Sequence, residues 1–74
     1  MNLHIETTNS SNPREHTMHV KTAMRELITH LRQDVERVNE PRAQALFETT
    51  AEVLLGLVTA YEHYEVGKET AFRH

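Results

Sequence analysis

Apolar residues recur along most of this chain at spacings of three and four. Between positions 20 and 38 the large ones are Val20, Met24, Leu27, Ile28, Leu31, Val35 and Val38. On a helix turning about 100° per residue they form a single stripe. Between Ala43 and Tyr64 the pattern broadens. Ala43, Phe47, Thr50, Leu54, Leu57, Tyr61 and Tyr64 alternate steps of four and three, the spacing of a coiled-coil seam. Leu46, Val53, Val58 and Ala60 widen that seam to roughly half the helix circumference, against the roughly 100° stripe of an ordinary surface helix. A row of small residues, Ala45, Thr49, Gly56 and Ala60, runs alongside it. In a membrane such a row marks a place of close helix approach, but Glu48, Glu52 and Glu62 exclude a span here. In a water-facing protein the row reads as a shallow spot in the core.

The breaks in the pattern set the element boundaries. Asn12-Pro13-Arg14-Glu15 predicts a helix start: an Asn N-cap, Pro at the first helical position, and Glu three residues after the cap. Asn39-Glu40-Pro41 interrupts the periodicity. Proline lacks a backbone donor and disfavours helical geometry in the residue before it. A second helix is expected to begin there, with Asn39 or Glu40 as its cap. Gly67 suits a left-handed cap at its end. The expected organisation is a flexible leader over residues 1–11, a helical domain over 12–67 and a loose tail over 68–74.

Two helices of about 26 residues joined by so short a turn should pack antiparallel as a hairpin. A hairpin has one contact seam and no enclosed core. The half-circumference apolar face of the second helix then has nowhere to go within one chain. A homodimer forming a four-helix bundle is the economical solution, and higher oligomers would satisfy the same requirement. The interface is expected to include Leu46, Phe47, Val53, Leu54, Leu57, Val58, Tyr61 and Tyr64, with the first helix outside or at a corner. The fold class is therefore all-α.

Composition sharpens this picture in a few places. The chain has 74 residues, enough for one small domain whose core is marginal without reinforcement. It contains no cysteine, which removes disulfides and thiolate metal sites. The N-terminal residues show no basic segment followed by an apolar run, and no apolar run reaches membrane-spanning length, so a cytoplasmic protein with no membrane association is expected. A formal net charge of −3 offers no global attraction to nucleic acid.

Candidate chemistry is sparse. Six histidines are present. His16, His19 and His30 lie along one flank of the first apolar stripe. His16 and His19, one turn apart, could provide half of a site for a divalent transition metal, completed by a carboxylate. In an antiparallel hairpin they fall level with Tyr61, His63, Tyr64 and Glu65. His63 projects away from the seam, and neither a His-Glu-x-x-His sequence nor a repeated Glu-x-x-His is present. Solvated flank histidines are the simpler account, with no cofactor. Histidines clustered across a dimer would also make assembly sensitive to pH. Arg14, Lys21, Arg25 and Arg32 form a basic stripe on the opposite flank. No aromatic side chain interleaves with it, so salt bridges are expected, with Glu48 level with Arg32 and Glu65 level with Arg14, in preference to RNA or DNA binding. No catalytic residue stands out. Ser10 and Ser11 fall in the leader, and Glu48 and Glu52 share a polar face where carboxylates stay solvated. The tyrosines read as core residues with hydroxyls at the rim.

The expected architecture resembles that of small helical-hairpin dimers, among them the RNA-binding repressor-of-primer type. The resemblance is one of shape, and no motif carries that function across. The chain is expected to be a non-enzymatic interaction or scaffold module acting as a homodimer, with an unidentified protein as its partner. The alternatives are a metal-binding bundle and a nucleic-acid-binding hairpin dimer.

Overall fold

A computed structural model describes the backbone of residues 11–72 and the side chains of residues 11–67. The leader expected before Ser11 and the last two residues of the tail lie outside the described residues. Two helices, α1 (Pro13–Arg37) and α2 (Pro41–Phe72), pack against each other as an antiparallel hairpin. Among the described residues there is no other regular element.

The start of α1 is built as its sequence dictates. The Asn12 side chain accepts from the Arg14 amide at 3.0 Å, and the Asn12 carbonyl accepts from the Glu15 amide at 3.1 Å. One otherwise orphaned amide of the first turn is thereby satisfied by the cap side chain. The start of α2 uses Glu40 in the same role. Its two carboxylate oxygens accept from Arg42 N at 3.3 Å and Ala43 N at 2.7 Å. The charge also sits favourably at the positive end of the helix dipole.

The connection is only residues 38–40, and it is locked by a side chain from the following helix. Gln44 Nε2 donates to the carbonyls of Val35, at 3.1 Å, and Val38, at 2.8 Å. These acceptors lie at the C-terminal end of α1, where carbonyls lack helical partners. One amide group therefore closes α1 and fixes α2 beside it.

The core is thin. Ile28 and Leu31 of α1 meet Ala51 and Val58 of α2, with Met24, Leu27, Phe47 and Leu54 packed against them. Among the described residues no polar or charged residue is buried, and no large side chain is completely enclosed. The α1 stripe is the one expected: Val20, Val35 and Val38 are half-buried along it.

The α2 seam differs from the expected one. Gln44, Phe47, Ala51, Leu54, Val58, Tyr61 and Glu65 face α1, whereas Thr50, Leu57 and Tyr64 do not belong to that contact. The expected seam lies between two real stripes because a single-seam reading averages their directions. The helix lengths differ too, at 25 residues for α1 and 32 for α2. Helix α2 does not stop at Gly67 but continues to Phe72, and neither Gly56 nor Gly67 has a positive φ. A mid-helix glycine costs only about 1 kcal/mol, too little to end a helix whose next residues are Lys, Glu, Thr and Ala.

Candidate interaction face

Helix α2 carries a second heptad stripe that lies outside the core packed against α1. Leu46, Thr50, Val53, Leu57, Ala60 and Tyr64 follow steps of four and three, roughly 110° round the helix from the seam against α1. Leu46 is 62% exposed, Val53 58%, Leu57 46% and Tyr64 44%. The expected dimer-interface residues thus divide into two groups. Phe47, Leu54 and Val58 are used within the chain, with Val58 only 2% exposed, and Tyr61 is half-buried between the two stripes. Leu46, Val53, Leu57 and Tyr64 remain outward. A helix carrying two seams can contact two neighbours at once.

The one hydroxyl-bearing aliphatic residue of the outward stripe, Thr50, donates to the Leu46 carbonyl at 2.8 Å, so its own hydroxyl is paired within the helix. Beyond the stripe, away from α1, lie Thr49, Gly56 and His63. Across these nine positions there is no Asp, Glu, Lys or Arg. The strip is about 27 Å long at 1.5 Å per residue.

The charged groups of α2 occupy its opposite edge, facing the basic stripe of α1. Arg25 pairs with Glu62 at 3.0 Å, both exposed. Farther along that edge, a hollow of about 320 Å³ is lined by Arg32, Val35, Glu36, Glu48, Ala51 and Glu52. The expected level placement of Arg32 and Glu48 holds. On the uncharged edge, a second hollow of about 320 Å³ lies between Thr17, Ala60, Tyr61 and Tyr64.

Near the open end, Glu65 clasps α1. It accepts from Lys21 Nζ at 2.5 Å and from Thr17 Oγ1 at 2.6 Å. The ion-paired side chains are 13% and 10% exposed. The hydrogen bond from Lys21, then that from Thr17, holds the Glu65 carboxyl below the usual carboxylate range; burial opposes the shift and loses. Lys21 and Arg25, half of the basic stripe, are therefore occupied by α2 carboxylates. Sequence reasoning placed Glu65 level with Arg14, whose charge does act on the Glu65 carboxyl, but missed the direct partner Lys21. It also missed Gln44. The available signal was the strict seven-residue repeat Gln44, Ala51, Val58, Glu65, which puts two polar residues in the apolar seam and asks what they bond.

The candidate metal residues lie on the α1 flank facing the uncharged edge. His16 is exposed, and His19 is half-buried with its Nδ1 atom enclosed and lacking a hydrogen-bond partner. His30 instead pairs with Asp34 at 3.2 Å, one turn along α1. Among the described residues no three His, Asp or Glu side chains come together to hold a metal ion. No helix among them is long and apolar enough to cross a membrane. Set against known protein families, characterised proteins and solved structures, the chain matches none of them.

Proposed function

We propose that the protein is a non-enzymatic interaction or scaffold module that works as a homodimer, two hairpins forming a four-helix bundle. The observation that carries this reading is the outward heptad of α2: four large apolar residues in register, exposed, on a helix face without Asp, Glu, Lys or Arg. Single exposed apolar residues are ordinary, but a contiguous strip at seam spacing marks an interaction surface. The thin intrachain core adds weight, since a small domain needs more buried area than one seam provides. A two-fold assembly would present each remaining outer surface twice, which suits a scaffold.

Sedimentation equilibrium of the full chain across a wide concentration range tests this. A two-chain mass with helical circular dichroism is expected at working concentration. A compact, fully helical single chain throughout that range would overturn the proposal.

A further inference from the structure

The uncharged strip of α2 reads almost the same in both directions. In order it is Leu46, Thr50, Val53, Leu57, Ala60, Tyr64: large, small, large, large, small, large. Its steps of four, three, four, three, four are also unchanged by reversal. We infer that, within the homodimer proposed above, α2 packs on the α2 of a second copy, antiparallel, about a two-fold axis near Gly56. Leu46 then meets the partner's Tyr64, Thr50 the partner's Ala60, and Val53 the partner's Leu57. Every position finds a counterpart without a slip in register.

The flanking residues are symmetric about Gly56, one residue and about 1.5 Å from the centre of the strip at position 55. Thr49, Gly56 and His63 border the strip on the side away from α1. Antiparallel pairing sets Gly56 against the partner's Gly56 at the centre, and Thr49 against the partner's His63. Gly56 has helical backbone and open space where a side chain would begin, so another helix can approach there. The α2–α2 contact brings no like charges together, because none of the nine positions bears a carboxylate, ammonium or guanidinium group.

The hairpin itself favours this arrangement. The strip lies near a right angle to the seam, so it faces out of the plane of the two helices. Two hairpins joined by those faces have two symmetric choices. A two-fold axis across the helices stacks α2 on α2 antiparallel. An axis along them stacks α2 on the partner's α1, whose matching flank carries His16, His19 and His30. Only the first choice matches apolar strip to apolar strip.

The absence of native cysteine allows a clean crosslinking test on the full chain. Gly56→Cys is expected to bridge to its own counterpart under oxidation or with a short bis-maleimide. Leu46→Cys and Tyr64→Cys are each expected to stay unbridged alone, because their own counterparts lie far apart along the helix. A one-to-one mixture of the two, allowed to exchange, should bridge in the half of the dimers that contain one of each. If either core substitution weakens assembly, Thr49→Cys and His63→Cys at the rim should give the same pattern: separate chains unbridged, mixture bridged. Leu46→Cys bridging to itself, or an unbridged mixture that still sediments as a dimer, would overturn the antiparallel pairing alone. A monomeric mass for the unmodified chain would overturn the parent proposal as well.

Discussion

Two leucines three residues apart on α2 should respond in opposite ways to the same substitution. Leu54 packs against the Ile28, Leu31, Ala51 and Val58 cluster, whereas Leu57 is 46% exposed on the outward strip. Leu54→Glu removes an apolar side chain from the seam between α1 and α2, a loss of about 2–5 kcal/mol for truncation alone. It also forces a carboxylate toward that seam at further cost. A small domain has about 5 kcal/mol to lose, so the variant should show no helical circular dichroism at any concentration. In one hairpin Leu57→Glu keeps its carboxylate in water and should change stability by about 0.5 kcal/mol or less. In the dimer it acts twice. Covering the exposed part of Leu57 contributes about 1 kcal/mol per chain. Each interfacial carboxylate then costs about 2 kcal/mol or more to desolvate. A loss near 5–6 kcal/mol weakens association roughly 10⁴-fold. Sedimentation should therefore find Leu57→Glu shifted to single chains, and circular dichroism should find it more helical than Leu54→Glu. A Leu57→Glu variant that dimerises like the parent, or a Leu54→Glu variant that stays folded, would refute the division of α2 into two seams.

Other perturbations read other parts of the hairpin. Gly67→Ala should stabilise by about 0.5–1 kcal/mol in chemical denaturation, because the position is helical and a Cβ there meets nothing; destabilisation would contradict the described helix. Gln44→Ala should cost about 1–2 kcal/mol through the loss of two hydrogen bonds to carbonyls at the end of α1, measured the same way. Glu65 gives a pH dependence of known sign. Its carboxyl is held below its ordinary value in the folded chain, so it binds a proton more readily when unfolded. Its stabilising contribution is present above the ordinary carboxylate range, roughly pH 4, and is lost as pH falls through the depressed value. Thermal melts of Glu65→Gln should consequently fall less steeply with acidification than those of the parent chain, and parallel curves would remove Glu65 from the account.

The parts of the fold legible in the sequence were those with local causes. Asn12 and Pro13 announce the first helix, and Glu40 and Pro41 announce the second, because a cap needs only neighbours three residues away. The α1 stripe was legible since one face of that helix is apolar and the others are not. Helix α2 was harder because its apolar residues serve two directions. Thr50, Leu57 and Tyr64 and the seam residues Ala51 and Val58 cannot all face α1, yet their average direction suggests one broad seam. Lys21 lies two turns from Arg14 on the same flank of α1 and reaches Glu65 with its long side chain, a contact that level placement alone does not reveal, while Arg14 still acts on the Glu65 carboxylate through space. Leu46, Val53, Leu57 and Tyr64 of the candidate face were named from the sequence together with Phe47, Leu54 and Val58, and separating the two groups required the helix rotation to be known.

The angle between the two stripes of α2 is close to the turn made by one residue. Adding a single amino acid between Gln44 and Leu46 would advance everything after it by about 100° while lengthening the rod by only about 1.5 Å. The set Leu46, Val53, Leu57 and Tyr64 would swing onto α1, and the old contact would swing toward the charged edge. Lineages descending from such a chain could thus exchange inside for outside through one codon gained, with the turn at 38–40 left intact.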